Sequence, residues 1–528
     1  MSAPRRHKLL PGLIVMLASA VLPVAWAAME KPASADANKV YQTHCASCHG
    51  ADRLGGTGPA LLPGNLERLR RPEAIKTITE GRQATQMAAF GASLTPQEIN
   101  ALADLIYAPL AKTPTWGIDE IRTSRIEYVK PESQPDKPIF AADPLNLFVV
   151  VEIGDHHATI LDGDKFEPIA RFATRYALHG GPKFSPDGRY VYFASRDGWI
   201  AKYDIWNLTL VAEIRAGINT RNLAVSSDGR FAMVANYFPH TLVALDTRDL
   251  SPIRVIDVKD DNGKSSRVSA VYDAGPRKSF IAALKDIPEV WELGYGENAP
   301  PVYGGLVHDY RMAEGLPVKG PFPPRRIKLD DYLDDFFFDP AYDHVIGSSR
   351  GGRGQVVNLN VGRRIADVEL PGLPHLGSGI SWTYQGKPVL ATPNLKEGVV
   401  SVIDMKSWQT IKQIPTLGPG FFMRSHENTP YAWVDVFNSP KDHDVIQIID
   451  KSTLEVVKQL RPSPGKIAAH TEFTRDGKYA VVSVWENDGE LVIYDARTLE
   501  VVKRIKMNKP SGKYNVFNKI TRSEGTSH

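Results

Sequence analysis

The chain has 528 residues and a formal net charge of +3 at pH 7. Such a small excess of positive charge does not indicate nucleic acid or an acidic membrane surface as a partner, so we expect no nucleic-acid partner. The length exceeds what one hydrophobic core usually serves, so at least two domains are expected. Helix-forming residues are concentrated before residue 110, whereas β-branched residues, aromatic residues and Asp-Gly pairs dominate after it.

The first 27 residues have the organisation of a secretory signal peptide. Three basic residues, Arg5, Arg6 and Lys8, precede a short and mostly apolar run over residues 9–24, and residues 25–27 fit a small-x-small cleavage site. An uncleaved membrane anchor is the alternative, although the apolar run is short for a spanning helix. The sequence therefore predicts export, which in a bacterium places the protein in the periplasm.

The two cysteines of the chain both lie in the segment Cys45-Ala46-Ser47-Cys48-His49. This spacing is typical of covalent haem attachment, in which two thiols form thioethers to one porphyrin and the adjacent imidazole binds its iron. A thioredoxin-like thiol pair is the alternative, but His49 and the export signal favour haem. We predict one covalent haem c held by Cys45 and Cys48, with His49 as an iron ligand.

Residues 30–112 are predicted to form a small all-α domain of the class I cytochrome c type. Helices are expected over Asn38–His44 and Pro72–Glu80. Thr95 and Glu98 form a capping box at the start of a third helix. That helix carries an apolar stripe at helical spacing, formed by Ile99, Leu102, Ala103, Leu105 and Ile106.

Met87 lies in the loop just before this last helix, where class I cytochromes carry their axial methionine. A thioether ligand stabilises reduced iron and raises its potential. A methionine that fills a gap in the core is the alternative. We predict Met87 as the sixth ligand of the haem c iron, and we expect Pro59 to pack near His49.

Residues 113–145 contain many prolines without a sustained period, and we predict a linker there. From residue 146 a repeat follows, with copies at Phe184–Tyr190, Val225–Phe231 and Phe473–Tyr479 that each contain an Asp-Gly pair. Asp-Gly predicts a tight hairpin turn, and the 41-residue spacing of the first two copies is that of a β-propeller blade. We predict an eight-bladed β-propeller over residues 146–528, with seven blades or stacked sandwiches as alternatives, and a loop insertion at Pro300–Arg326.

A propeller brings loops of several blades together at one end of its channel. Polar residues lie before several of the blade repeats, namely His179, Arg221, Asn222, His375, His426 and His470. Each alone is more typical of a surface or structural position. Together, imidazole and guanidinium groups indicate a site for an anionic ligand that carries a metal.

The domain order and several segments resemble the cytochrome cd1 family, in which a cytochrome c domain precedes a propeller that binds haem d1. The resemblance rests on Cys45–His49, Tyr176–His179, Ile218–Arg221, Ser483–Trp485 and Ser511–Val516. It implies that His179 is the axial ligand of the haem d1 iron. It also implies that Arg196 and Arg221 lie near the haem d1 carboxylates.

The family has two known activities with this domain order, nitrite reduction and the dehydrogenation of dihydro-haem d1 during haem d1 biosynthesis. The reductase has two distal histidines, and His375 fits the second. At the first, the reductase has Leu-His-Asp, whereas this chain has Leu333-Asp334-Asp335. A carboxylate there is poorly suited to protonating a bound anion. The reductase also has an N-terminal segment whose tyrosine reaches the haem d1 iron, and we expect this chain to lack that segment. Both departures favour the dehydrogenase.

By this resemblance the enzyme would oxidise a propionate side chain of dihydro-haem d1 to acrylate, with His375 or His470 as the base and Tyr514 positioning the group. Dihydro-haem d1 is then the substrate and haem d1 the product, and electrons leave through haem c to a periplasmic acceptor. Other haem d1 biosynthesis proteins and nitrite reductase are candidate partners. The alternatives are a nitrite reductase, a non-enzymatic haem d1 carrier, and a propeller dehydrogenase of another cofactor.

Overall fold

The structure is a computed structural model that describes residues 36–56, 58–67, 69–81, 87–303, 317–349, 353–522 and 524–526. The predicted signal peptide, residues 1–27, lies outside the described residues. So do residues 304–316, which form the middle of the predicted insertion. Within the described ranges, no helix is both long and apolar enough to cross a membrane.

The N-terminal domain is helical, as predicted. Its helices are α1 (Ala37–His44), α2 (Ala46–His49), α3 (Arg71–Glu80) and α4 (Pro96–Tyr107). The capping box is present, because Thr95 Oγ1 accepts from the Glu98 backbone N–H (3.2 Å) and the Glu98 carboxylate accepts from the Thr95 N–H (2.8 Å). The apolar stripe of α4 is buried against α1 and α3.

Between α4 and the propeller lie α5 (Ile118–Thr123), β1 (Ile126–Glu127) and two short 3-10 helices, Pro131–Ser133 and Pro144–Asn146. The first three strands of the propeller are β2 (Leu147–Glu152), β3 (His157–Asp162) and β4 (Pro168–Ala173). Seven complete blades follow in chain order. Blades 1 to 3 are β5 (Lys183–Phe184), β6 (Tyr190–Ala194), β7 (Trp199–Asp204) and β8 (Thr209–Arg215); β9 (Asn219–Val225), β10 (Phe231–Phe238), β11 (Thr241–Asp246) and β12 (Pro252–Asp257); β13 (Val268–Ala274), β14 (Ser279–Leu284), β15 (Glu289–Gly294) and β16 (Pro324–Lys328).

Blades 4 to 7 have the same order of strands from the channel outwards. They are β17 (Asp335–Phe338), β18 (His344–Ser348), β19 (Arg353–Asn358) and β20 (Arg363–Glu369); β21 (Ile380–Tyr384), β22 (Lys387–Pro393), β23 (Val399–Asp404) and β24 (Gln409–Pro415); β25 (Met423–Arg424), β26 (Tyr431–Asp435), β27 (Ile446–Asp450) and β28 (Glu455–Leu460); β29 (Ala468–Phe473), β30 (Tyr479–Val484), β31 (Gly489–Asp495) and β32 (Val501–Met507).

The last strand, β33 (Pro510–Asn515), pairs with β2 and so completes blade 8 from the two ends of the propeller sequence. Eight antiparallel sheets therefore surround the channel in the described part of the chain. The eight-bladed prediction is confirmed, and seven blades or stacked sandwiches are wrong. One detail of the insertion differs, since β16 begins at Pro324 and takes the last residues of the segment Pro300–Arg326 into blade 3.

The Asp-Gly repeats form the hairpin turns between the first two strands of blades 1, 2 and 7. In each turn a hydroxyl donates to the aspartate carboxylate, as Thr474 Oγ1 does to Asp476 (2.7 Å). The glycine that follows has a positive φ, for example +73° at Gly188. Glycine adopts this conformation without a steric penalty, which explains the repeated pair.

The segment predicted as a linker is attached to the outside of blade 1. Strand β1 pairs antiparallel with β8, with Ile126 opposite Glu213. Further along, Asp136 forms a 2.9 Å ion pair with Arg189, whose guanidinium also binds Asp204 in β7. These contacts explain how a proline-rich segment without a period of its own follows a defined course over the propeller.

The two ends of the channel differ. At the end that carries the Asp-Gly turns, called here the turn end, helix α6 (Val516–Thr521) and the tail after it cross the opening. Arg522 in that tail binds Asp273 (2.8 Å), and the Gly525 carbonyl accepts from the Ser425 N–H (3.0 Å). The other end, where the innermost strands begin, is called the funnel end.

Candidate functional site

The first candidate site is formed by α2 in the cytochrome domain. His49 is 8% exposed, and its Nδ1 lies 2.8 Å from the Pro59 carbonyl oxygen. Because a carbonyl only accepts, Nδ1 carries the proton and Nε2 keeps its lone pair for a metal. Burial also lowers the pKa of His49. Gly58 allows this arrangement, since a Cβ there would lie 2.8 Å from the ring.

The two thiols lie beside this imidazole. Cys45 and Cys48 are both free, and burial raises the pKa of Cys45 to about 11. Cys45 and Met87 pack against the same apolar cluster, which includes Tyr41 and Leu102. The loop with Met87 is therefore brought to the haem-binding motif. Two free thiols on one turn and an imidazole with an oriented Nε2 fit a covalent haem c, with Met87 as the proposed sixth ligand.

The second candidate site lies at the funnel end of the propeller. His179 precedes β5, and its Nδ1 lies 2.7 Å from the Arg221 carbonyl oxygen. The Arg221 guanidinium lies beside the same ring, with Nη1 at 2.9 Å from His179 Nε2. The backbone of Arg196 joins the neighbouring segments, because its N–H donates to Ala177 and its carbonyl accepts from Thr220. The three residues predicted to bind haem d1 and its carboxylates thus lie in adjacent segments.

A row of stacked rings lines the other side of the funnel, from blade 5 to blade 8. The centroid distances are 3.9 Å for His375–Phe421, 4.5 Å for Phe421–Phe422, 4.6 Å for Phe422–His470 and 5.0 Å for His470–Tyr514. Rings at such distances interact favourably and hold one another in place. The predicted catalytic residues His375, His470 and Tyr514 therefore belong to one aromatic wall.

This wall meets the His179 loop through Tyr514. The Tyr514 hydroxyl lies 3.2 Å from the position that a Cβ on Gly181 would take, and Gly181 has a φ of +69°. A larger residue there would be strained and would also contact the tyrosine. Burial raises the pKa of Tyr514 to about 12, so its hydroxyl stays protonated and can donate a hydrogen bond.

His470 is placed in the channel by an irregularity of β29. Its φ of +52° lies in the left-handed region, and the register with β30 shifts between Ala469 and Glu472. A bulge of this kind redirects a side chain. The ring is 1% exposed, and neither of its nitrogens has a hydrogen-bond partner among the described residues. Burial, with Lys513 and Arg424 nearby, holds its pKa well below 6.5, so the imidazole is unprotonated at neutral pH.

His375 is held in a different way. Its Nδ1 donates to the Phe421 carbonyl oxygen at 2.9 Å, which leaves Nε2 as the basic nitrogen. Burial lowers its pKa, while the carboxylate of Asp335 acts in the opposite direction. The channel thus contains two neutral imidazoles of the kind that proton abstraction requires.

One position, His426, differs from the expectations. His426 lies after β25 at the turn end, where its Nδ1 accepts from the Asn428 N–H (3.1 Å), so the prediction that it shares the funnel with the other histidines is wrong. The short strand β25 ends before it, and the chain has already turned. Asp334, the residue predicted from the resemblance to replace a distal histidine, forms a 3.1 Å ion pair with Lys285.

Sequence reasoning missed a set of buried titratable residues on or next to the innermost strands. Burial lowers the pKa of Lys183 to about 8 and raises that of Asp435 to about 7. Arg424 and Glu472 are both buried, with Arg424 Nε and Glu472 Oε2 at 3.8 Å. A signal exists in the repeat, since Lys183 and Glu472 occupy the position just before the repeat residues Phe184 and Phe473. The remaining members are Lys513, Lys519 and Arg522.

The cytochrome domain contacts the funnel end of blades 1 to 3. Glu67 forms a 2.7 Å ion pair with Arg267, which precedes β13. Ala60 and Leu62 pack against Ile218, which precedes β9. The Arg215 guanidinium donates to the carbonyl of Leu54. The domain that would carry haem c is therefore attached beside the funnel rather than at the turn end.

One strand connects the two candidate sites. Ile218 contacts the cytochrome domain, and Arg221, three residues further, contacts His179, a separation of about 10 Å at roughly 3.3 Å per residue. On the other side, Ala60 follows Pro59, whose carbonyl binds His49. Packed atoms and hydrogen bonds are thus continuous from His49 to His179.

A cytochrome c domain seated on the funnel end of an eight-bladed propeller defines a two-centre redox protein. The chain belongs to the cytochrome d1 family, since residues 142–304 and 317–519 match the model "Cytochrome D1 heme domain". Residues 32–106 match the model "Cytochrome C oxidase, cbb3-type, subunit III". The predicted resemblance to the cytochrome cd1 family is confirmed.

Individual relatives cover nearly the whole chain. It is 56% identical over 502 residues to the dihydro-heme d1 dehydrogenase of Pseudomonas aeruginosa, which covers 95% of this chain and 97% of the relative. It is 26% identical over 571 residues to the nitrite reductase of Stutzerimonas stutzeri, covering 97% and 98%. The solved structure of dihydro-heme d1 dehydrogenase NirN in complex with DHE has a TM-score of 0.85 and 55% identity, covering 92% of this chain and 99% of that one.

Proposed function

We propose that this protein is a periplasmic dihydro-haem d1 dehydrogenase that oxidises a propionate side chain of its substrate to acrylate. The observation that carries the proposal is the pair of buried neutral imidazoles, His375 and His470, in a funnel next to a cytochrome c domain. The similarity to the dehydrogenase of Pseudomonas aeruginosa supports it.

The reaction converts –CH2–CH2–COO⁻ into –CH=CH–COO⁻. Two C–H bonds break, a C=C bond forms, and two protons and two electrons leave the side chain. We propose His375 or His470 as the base that takes the first proton. In His375 the acceptor would be Nε2, and in His470 it would be either of the two ring nitrogens. Tyr514 would orient the side chain through its protonated hydroxyl. When bound, haem c accepts electrons one at a time, so an outside acceptor must reoxidise it twice per turnover.

The substrate would be held by the opposite side of the funnel. We propose His179 as the ligand of its iron, with Arg196 and Arg221 near its carboxylates. Arginine binds carboxylates through paired hydrogen bonds, which suits a macrocycle with several acidic side chains. Arg221 Nη1 lies 2.9 Å from His179 Nε2 and 3.2 Å from its Nδ1, so the guanidinium is next to the proposed iron ligand.

Nitrite reduction is less well supported by the geometry. The position of the first distal histidine is taken by Asp334, a carboxylate paired with Lys285. Neither group of an ion pair is a ready proton donor to a bound anion. We therefore treat nitrite reduction, and the binding of haem d1 without conversion, as outcomes that the following experiment distinguishes.

The test mixes the purified holoprotein with dihydro-haem d1 and an artificial electron acceptor. With a one-electron acceptor, appearance of the haem d1 absorption spectrum and reduction of two equivalents of acceptor per substrate are the expected result. Binding without conversion would instead identify a carrier. A protein isolated with haem d1 already bound and able to turn over nitrite would overturn the proposal.

The remaining partners and the location follow from the same chemistry. We propose a periplasmic acceptor that docks at the cytochrome domain, which would carry haem c. The product must then reach a protein that uses haem d1, so nitrite reductase and other haem d1 biosynthesis proteins are proposed partners. Cell fractionation tests the location, and the periplasmic fraction is expected to contain the haem-bearing protein.

A further inference from the structure

We propose that Asp435 positions His375 and His470 relative to each other and thereby sets the geometry of proton removal; this inference rests on the proposed function. Asp435 is the last residue of β26 in blade 6 and is 1% exposed. It lies at the funnel end, between the segment that leads into β25 and the strand β29 that carries His470.

The carboxylate of Asp435 binds three backbone N–H groups. Oδ1 accepts from Phe421 (2.8 Å) and from Phe422 (3.2 Å), and Oδ2 accepts from Phe422 (3.2 Å) and from His470 (3.2 Å). A carboxylate is the side chain that can accept on both oxygens at once. Asp435 therefore ties the backbone of blade 6 to that of blade 7 at the depth of the aromatic wall.

The first set of hydrogen bonds connects Asp435 to His375 in blade 5 through the backbone of Phe421. The peptide group on the N-terminal side of Phe421 is bound by Asp435 through its N–H, while the Phe421 carbonyl accepts from His375 Nδ1 at 2.9 Å. The direction of His375 Nε2 follows from this bond, because the two ring nitrogens are fixed relative to each other. Moving the Phe421 backbone would therefore redirect the basic nitrogen of His375.

The second set of hydrogen bonds involves His470, whose backbone N–H and carbonyl are both bound. Its N–H donates to Asp435, and its carbonyl accepts from the ammonium of Lys513, which also donates to Ser483 Oγ at 2.8 Å. The φ of +52° at His470 is a conformation that a residue with a side chain seldom adopts. Two bonds to the buried side chains of Asp435 and Lys513 hold it there, and the ring itself stays unbonded in the channel.

A matched pair of variants tests this role in the full-length holoprotein. Asp435→Asn replaces one acceptor oxygen by an NH2 group, which cannot accept from a backbone N–H. Asp404→Asn is the control. Asp404 is also buried and accepts from two backbone N–H groups, those of Lys406 (2.8 Å) and Ser407 (3.1 Å). It is the last residue of β23 in blade 5, however, and does not contact either histidine through these bonds.

For Asp435→Asn we expect the single-turnover rate of dihydro-haem d1 conversion to fall about 10- to 100-fold, because small misplacements of reacting groups have effects of this size. The dissociation constant and the binding stoichiometry should stay within about threefold and at one per chain, because the proposed iron ligand His179 lies on another blade. Asp404→Asn should retain the wild-type rate. Asp435→Glu keeps both acceptor oxygens but displaces them, so it should likewise lower the rate and retain the binding. It replaces Asp435→Asn in the experiment if the asparagine variant does not fold.

A triple variant separates positioning from general damage. In the His375→Ala/His470→Ala background, Asp435→Asn should add less than about a twofold effect, since it acts through these two rings. Three outcomes would each overturn the inference. The first is that the effect of Asp435→Asn multiplies with that of the two histidine substitutions. The others are a wild-type rate in Asp435→Asn and a loss of rate that matches a loss of binding sites. Failure of the wild-type protein to convert dihydro-haem d1 would overturn the proposed function instead.

Discussion

The cytochrome domain and the propeller build their candidate sites in opposite ways. In the cytochrome domain, the two thiols and the imidazole come from five consecutive residues, Cys45 to His49. In the propeller, His179, His375, His470 and Tyr514 come from four different blades and meet only because the ring of sheets closes at β33. The first site depends on one helical turn, and the second depends on the whole ring.

The electrostatics of the two regions differ in the same way. Around His49 the protein supplies apolar side chains and one carbonyl, so burial lowers the pKa of the imidazole and the hydrogen bond to the Pro59 carbonyl partly opposes this. Around His470 it supplies buried charged groups from neighbouring strands, among them Lys513, Arg424 and Asp435. A site that only holds a cofactor needs fixed ligands. A site that moves protons needs groups whose pKa values are adjusted, and several blades can place such groups around one ring.

Loss of the local site should have the largest effect. Cys45→Ala/Cys48→Ala removes both thioether bonds, and turnover with an outside acceptor should be abolished because the electron route from the funnel ends there. Binding of dihydro-haem d1, followed by its absorption spectrum, should persist, since no residue of the funnel is changed. Turnover at the wild-type rate in this variant would show that electrons leave the propeller directly.

In the propeller site, single substitutions should lower the rate without abolishing binding. His375→Ala and His470→Ala should each lower kcat, with a loss of about 100-fold or more for whichever residue is the base. The dissociation constant should stay within about threefold. His426→Ala is the matched control, because His426 is also buried but lies at the turn end. Lost binding with an unchanged rate for the bound fraction would argue against both residues as bases.

The pH dependence should distinguish the funnel from an exposed histidine. Burial and the nearby side chains of Lys513, Arg424 and Lys519 lower the pKa of His470, so its neutral form persists below the usual value near 6.5. The rate of the chemical step should therefore hold as the pH falls through about 6.5 and should decline only at lower pH. Single-turnover rates across this range provide the measurement, and a midpoint at the ordinary histidine pKa would contradict it.

The contact between the two regions should give the smallest effect. Glu67→Gln removes the ion pair with Arg267, which keeps its second partner Asp286. Since partly exposed ion pairs contribute about 0.2–1 kcal/mol, haem c reduction after substrate addition should slow by at most about fivefold, and less at high salt. Asp104→Asn is the control, because it removes the pair with Arg71 within the cytochrome domain. Equal effects of the two variants would show that the Glu67 contact does not position the domains.

Local signals were sufficient for much of the fold. The capping box at Thr95 marked the start of α4, and the Asp-Gly pairs marked hairpin turns whose spacing predicted the blades. These features involve residues only a few positions apart, so their physics is contained in short segments. The error at His426 has the opposite origin, because the sequence does not show that β25 ends at Arg424 and that the chain then turns away from the funnel.

The sequence by itself determined the haem-binding motif, the helical domain and the repeat of the propeller, because each is set by neighbouring residues. Only the tertiary structure decided that His375 and His470 share one aromatic wall, that Asp435 and Lys513 bind the backbone of His470, and that the cytochrome domain sits beside the funnel. These relations join residues from different blades or domains. Their contacts and pKa values depend on the closed ring of sheets, which no short segment encodes.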